Sequence, residues 1–303
     1  MKDVDLVSVA IATDARATAA LLGDFVALTK PRLNLLVVAT SAAGYYLGSA
    51  GAPADWLRMT SAVIGTAFVA GGAAALNQVY ERDTDALMRR TRMRPLPDGR
   101  LTASDGRTFG LALAAAGLVM LAAWANLLAA GLALATLLIY LIVYTPMKRR
   151  SSLATIVGAV PGALPPLIGW AAGHGSLSTG GWALFAIVFL WQIPHFMAIA
   201  WMCRDDYRKA GFPMLPVVEP DGRSTGRQAL AYAAVLLPVS LVPTLVGVSG
   251  LVYFGIALAL GAGFLALAVR FAFTRTDQAA RWLFFASITY LPLIWISMIV
   301  DKM

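Results

Sequence analysis

GWALFAIVFLWQIPHFMAIAWM, residues 181–202, contains no Asp, Glu, Lys or Arg and runs straight into Cys203, Arg204, Asp205 and Asp206. An α-helix rises 1.5 Å per residue, so about 20 apolar residues match the hydrocarbon thickness of a bilayer. Similar runs flank this one on both sides, and they place spans near 33–52, 58–80, 108–125, 127–146, 152–172, 181–202, 229–247, 250–272 and 282–300. Composition agrees: the chain is 59% hydrophobic and 13% charged, whereas roughly a quarter of residues are charged in a typical soluble domain. The fold expected is an all-α membrane protein of about nine transmembrane helices bundled around a central cavity, forming one domain over 24–303 behind an N-terminal cytoplasmic segment, 1–23. Spans three and four are the hardest to separate, with Asn126 and Gly131 marking a tight turn between them.

Charge sets the orientation. Of 24 Lys and Arg residues, 22 fall in the N-terminal segment or in alternate loops, those after spans two, four, six and eight; only Arg58 and Lys302 lie on the other side. The positive-inside rule then makes the N-terminus cytoplasmic and, with nine spans, the C-terminus external. The formal charge of +8 describes one face of a membrane protein and calls for no nucleic-acid partner. Residues 1–23 lack a compact apolar core and carry Asp3, Asp5 and Asp14, which argues against a cleavable signal or an organellar presequence and favours a bacterial inner membrane. The single cysteine, Cys203, reads as packing.

Acidic residues are scarce and unevenly placed. Nine of the 16 sit in two loops on the same face: Glu81, Asp83, Asp85, Asp98 and Asp105 after span two, and Asp205, Asp206, Glu219 and Asp221 after span six. Asn77, Glu81 and Asp85 follow i, i+4, i+8 spacing at the end of an apolar helix, so their oxygens lie along one stripe. Magnesium commonly binds one or two carboxylates together with substrate phosphate oxygens. Asn77, Glu81 and Asp85, joined by Asp205 and Asp206, are therefore candidate metal ligands for a metal-diphosphate. Arg90, Arg94, Lys148 and Arg149 are candidates to neutralise phosphate charge. A solvated helix end, its acids balanced by neighbouring arginines, is the plainer reading of the first cluster alone.

The run from Asn77 to Pro97, NQVYERDTDALMRRTRMRPLP, resembles the first acidic motif of the intramembrane aromatic prenyltransferases, in their protohaem IX farnesyltransferase (haem O synthase) branch. Four further stretches keep the family order: LTKPR at 28–32, YTPMKR at 144–149, PGALPPLIGW at 161–170, and WQIPHF at 191–196 leading to DYRKAGFPMLP at 206–216. The superfamily's usual second pair of aspartates, four apart, is replaced by Cys203 and Tyr207 with Asp205 and Asp206 between them, a variation the haem branch resembles. The resemblance implies farnesyl transfer from farnesyl diphosphate to a vinyl group of haem b, with addition of water, giving haem O. It implies Mg2+ as cofactor, Asn77, Glu81, Asp85, Asp206 and Lys148 as catalytic residues, and a downstream haem A synthase as a partner beside the membrane lipid.

The two histidines differ. His174 lies between Gly173 and Gly175 in a short outer loop and reads as a surface residue. His195 lies inside span six, roughly 15 Å along the helix from Asp205 at 1.5 Å per residue, next to Pro194, which would kink the helix. An imidazole there needs a partner: haem-substrate iron, a proton-handling role, or a hydrogen bond within the bundle. Three other functions share parts of the pattern. A prenyltransferase of a quinone precursor or other aromatic acceptor would need the acidic stripe but not His195. A divalent-cation or anion transporter would place its polar groups near the bilayer midplane. A non-catalytic haem-binding factor would need His195 but not the carboxylates.

Overall fold

The computed structural model describes residues 18–49 and 55–303, so residues 1–17 of the N-terminal segment lie outside the described residues. A short apolar helix, α1 (Thr18–Leu28), takes up the remainder of that segment and continues five residues past its expected end at residue 23. The long helices follow: α2 (Pro31–Gly48), α3 (Trp56–Asp85), α4 (Ala103–Ala125), α5 (Leu127–Met147), α6 (Ala154–His174) and α7 (Thr179–Met202). Two short helices, α8 (Arg204–Lys209) and α9 (Leu215–Val218), lead to α10 (Arg223–Leu245), α11 (Leu251–Thr274) and α12 (Asp277–Val300). Eight of these are long and apolar enough to cross a membrane. Counting the 18-residue α2 packed along α6 beside them gives nine long helices among the described residues, matching the span reading.

The expected break between spans three and four falls at Asn126. Its Oδ1 accepts from Ala129 N at 2.8 Å, capping α5, and its Nδ2 donates to Ala171 O at 2.8 Å, tying the turn to α6. The sequence reading did not foresee the π-helical turns at Leu121–Ala125 and Ile139–Tyr144.

Neighbouring helices close through small residues. A Cβ on Gly72 of α3 would stand 2.6 Å from Gly110 O of α4, and one on Gly117 of α4 would stand 2.6 Å from Gly65 O. Between α2 and α6 a Cβ on Gly44 would collide with Pro166 O and one on Gly169 with Ser41 O. Without a hydrophobic force between helices in lipid, such close backbone approach is what gives packing its strength. Helices α6 and α7 are the most enclosed, with 67% and 61% of their apolar windows buried, whereas only 11% of the α5 window is buried, so most of α5 faces outward. Pro161, Pro165 and Pro166 in α6 and Pro194 in α7 sit inside these two helices. Prolines are tolerated there because neighbouring helices satisfy the carbonyls they release.

The ring closes where α12 returns to α2. Lys302 Nζ donates to Tyr46 O at 2.5 Å and Ser49 O at 2.9 Å and stands 4.3 Å from the Tyr46 ring centre. Asp301 Oδ2 accepts from Tyr253 N at 2.7 Å, which fastens the start of α11 to the same corner.

Candidate active site

The 30 residues of α3 extend about 45 Å at 1.5 Å per residue, well beyond the ~30 Å hydrocarbon core. Its final turns therefore stand at the membrane edge while remaining inside the protein. Asn77, Glu81 and Asp85 lie on this part of α3 and are only 2%, 3% and 1% exposed. Burial of this kind excludes the solvated-helix-end reading, because a buried charge must be paired.

Each of the three finds a cation. Lys148 Nζ, carried just past the end of α5, donates to both carboxylate oxygens of Glu81 at 3.0 Å. Arg94, on the loop that turns back after α3, donates to Asp85 Oδ2 at 2.7 Å. That loop is held down by Thr91, whose hydroxyl donates to Asp85 O at 2.8 Å. Lys30 Nζ donates to Asn77 Oδ1 at 3.2 Å, and the Asn77 amide in turn donates to Thr145 Oγ1 at 3.2 Å. Lys30 caps α2 with a left-handed backbone, φ 51°, a costly conformation for a residue other than glycine. Burial, with Arg94 and Lys148 beside it, pushes the Lys30 ammonium down to about 7. Burial also opposes the charge on Lys148, yet the Tyr144 and Glu81 oxygens outweigh it and raise its pKa overall.

The second loop contributes differently. Gly211, at φ 70°, turns the chain back so that Phe212 N donates to Tyr207 O at 2.9 Å. Phe212 is thereby buried beneath the Lys148 ammonium, 5.1 Å from its ring centre. Arg90 donates to the Tyr207 hydroxyl at 2.7 Å and lies over its ring, 4.8 Å from the centroid. Asp206 is half-buried and acts electrostatically on Arg90. Asp205 extends outward, its side chain 72% exposed and paired with Arg208 of the same short helix at 2.8 Å. Arg149 is exposed. Neither Asp205, Asp206 nor Arg149 lines the cavity.

The cavity encloses about 340 Å³. Its polar end is lined by Lys30, Asn77, Glu81, Asp85, Arg90, Arg94, Lys148 and Tyr207. From there it descends between Tyr140 and Tyr144 of α5, Val69 and Ala73 of α3, Pro161, Gly162 and Ile168 of α6, and Gln192 and Phe196 of α7. Among the described residues no three His, Cys, Asp or Glu side chains converge as a metal cage. An all-oxygen set of two carboxylates and one amide on a single stripe instead fits magnesium that completes its octahedron with phosphate oxygens and water. Lys30, Tyr140, Tyr144 and Gln192 escaped the sequence reading as site residues. Lys30, Tyr144 and Gln192 each lie in one of the stretches that carry the family resemblance, which was their only signal; Tyr140 lies outside all of them.

His195 is not in the cavity lining, although the next residue on α7, Phe196, is; its ring contacts outside α7 are with α12. Its ring lies between Trp191 and Phe284, with centroids 4.9 and 5.2 Å away and planes inclined by 19° and 24°. Its Nδ1 lies 2.7 Å from Ser287 Oγ, whose own proton goes to Phe284 O at 2.6 Å. The hydroxyl can then only accept from the imidazole, so Nδ1 carries the hydrogen and Nε2 keeps its lone pair. Cys203 packs half-buried against the cluster of Met88, Tyr207 and Phe212, as expected. His174 is exposed at the end of α6.

Residues 36–289 match the UbiA prenyltransferase family. A relative from Solibacter usitatus (strain Ellin6076), Protoheme IX farnesyltransferase, is 50% identical over 287 residues, spanning 92% of this chain and 98% of that protein. A second, from Koribacter versatilis (strain Ellin345) and of the same name, is 44% identical over 294 residues, spanning 94% of each chain. The solved structure of a UbiA homolog from Archaeoglobus fulgidus bound to GPP and Mg2+ shares the fold, with a TM-score of 0.66 at 17% identity over 91% of this chain and 99% of that one. With the family matched over most of its length and the relatives this similar, the chain belongs to the UbiA prenyltransferase family.

Proposed function

We propose that this multi-pass membrane protein transfers the farnesyl group of farnesyl diphosphate to a vinyl group of haem b, with addition of water, forming haem O. The observation that carries the reading is a single cavity that joins an acidic stripe and four cations at one end to an apolar interior at the other. The naming of the relatives selects the haem acceptor over a quinone precursor or another aromatic ring. Charged groups gathered at one end, not midway along the helices, favour an enzyme over a transporter.

Asn77, Glu81 and Asp85 would hold magnesium together with diphosphate oxygens, and the metal supplies charge neutralisation to the leaving group. Lys30, Arg90, Arg94 and Lys148 donate hydrogen bonds to the diphosphate as the bond from C1 to oxygen ionises, stabilising charge where it develops. Asp206 positions Arg90, and Arg149 adds positive potential at the mouth. The aromatic and aliphatic walls exclude bulk water from the allylic cation until the vinyl carbon attacks it. His195, beside the cavity-lining Phe196, would be the haem-iron ligand through Nε2. The 22-to-2 split of basic residues supports a bacterial inner membrane with this end cytoplasmic and the C-terminus external. A haem A synthase is the natural recipient of the product.

The test is to incubate the purified protein with farnesyl diphosphate, Mg2+ and either haem b or an aromatic acid. Hydrated, farnesylated haem is the expected product. Prenylation of the aromatic acid alone would overturn the assignment.

A further inference from the structure

The reaction proposed above ends in a step that a dry cavity handles badly. After the vinyl group of the haem has captured the farnesyl cation, the positive charge sits on the adjacent side-chain carbon. A water must form a carbon–oxygen bond there and lose a proton, or the neighbouring CH2 loses its proton and an alkene leaves in place of the alcohol. Some group in the apolar part of the cavity must hold that water.

Gln192 fits this requirement. It lies in the cavity wall on α7, four residues from Phe196, and is 6% exposed. Both amide hydrogens are engaged, with Nε2 donating to Ala159 O at 3.2 Å and Val188 O at 3.1 Å. Because both partners are carbonyls, the reversed amide would set oxygen against oxygen, so the orientation is chemically fixed. Oε1 therefore remains the free acceptor, and it lies against Gly162, where a Cβ would overlap it. Pro165 and Pro166 remove the N–H donors that would otherwise take the carbonyls of Pro161 and Gly162, and both of those residues also line the cavity. The result is a cluster of hydrogen-bond acceptors in the cavity wall: Gln192 Oε1 and the carbonyls of Pro161 and Gly162.

We propose that Gln192 Oε1, with the carbonyls released by the α6 prolines, holds the water that hydrates the acceptor side chain. A water that gives both hydrogens to acceptors keeps a lone pair free for the cation. The carbon–oxygen bond forms from that pair, and the released proton passes to the diphosphate freed in the first step, so atoms and charge balance. This inference rests on the farnesyl-transfer reading, and the experiment separates the two.

Gln192→Leu keeps the volume and removes the acceptor. Single-turnover reactions with farnesyl diphosphate, Mg2+ and haem b are analysed by mass spectrometry for the ratio of hydrated to dehydrated farnesyl-haem. The expected result is a ratio of hydrated to dehydrated product at least tenfold lower than wild type among whatever farnesylated haem forms, with farnesyl diphosphate binding by calorimetry as the folding control. An unchanged ratio in a variant that still binds farnesyl diphosphate overturns the proposal. If Gln192→Leu fails that binding control, Gly162→Ala decides: the nearest atoms its added methyl would meet are those of the Gln192 amide, so it should displace Oε1 and lower the ratio, and a wild-type ratio would overturn the proposal. Absence of any farnesylated haem with the wild-type protein would count against the parent reading instead.

Discussion

Replacing Lys148 with Met is the most informative perturbation of the polar end of the cavity. Lys148 and Glu81 are 17% and 3% exposed, and their two 3.0 Å contacts are the only hydrogen bonds to the Glu81 carboxylate among the described residues. Removing one partner of a buried pair leaves an unpaired charge, which costs about 3–5 kcal/mol. Lys30 lies near enough to act on Glu81, which places the expected loss at the lower end, about 3 kcal/mol. A folded state stable by only about 5–15 kcal/mol would register this clearly. Glu81→Gln should destabilise by a similar amount through the stranded ammonium. The double variant carries neither charge and should regain most of the loss, since a neutral pair of similar volume often replaces a buried ion pair without penalty. Thermal unfolding in detergent measures all three, and farnesyl transfer is assayed alongside. Activity should stay at least ~10²-fold down in every variant, because the double restores stability without restoring a phosphate donor or metal ligand. If the double variant is destabilised by the sum of the singles, the ion-pair account is wrong.

Asp85→Asn, which keeps side-chain size, should abolish turnover while leaving membrane insertion intact; near-normal product formation at saturating Mg2+ would make the stripe structural. His195→Ala should weaken haem binding and change its absorbance spectrum while diphosphate affinity by calorimetry stays within a few-fold. An unaltered haem spectrum with normal product formation would assign His195 to packing alone. Cysteine labelling should find the loops 86–105 and 207–226 on the cytoplasmic side together, and opposite sides would dismantle the site.

The sequence made legible whatever one helix determines by itself. Run lengths gave the spans, and spacing put Asn77, Glu81 and Asp85 on one stripe because a helix fixes the angle between residues four apart. It could not give the rotation of one helix against another, on which every cross-helix pair depends. Arg90 and Tyr207 are 117 residues apart and Lys30 and Asn77 are 47 apart, and no local pattern links them. The same limit explains Asp205, which shares a membrane face with the stripe but points away from it once α8 winds through Asp206 and Tyr207. Gln192 was hidden for a different reason. A lone amide in an apolar run becomes chemically distinctive only when both of its hydrogens are seen to be spent.

The corner where Lys302 meets Tyr46 also sets a timetable for synthesis. That contact joins residues 256 apart in sequence, so it cannot form until residue 302 has left the ribosome and α12 has been inserted. Until then α2 has only the partners made before it, chiefly α3 and the glycine-lined surface of α6. The half-built protein must therefore wait in the membrane as an open arc, and circle closure becomes the latest event of assembly. A chain lacking α12 would leave the faces of α7 and α11 that pack on it uncovered, together with the end of α2 at this corner.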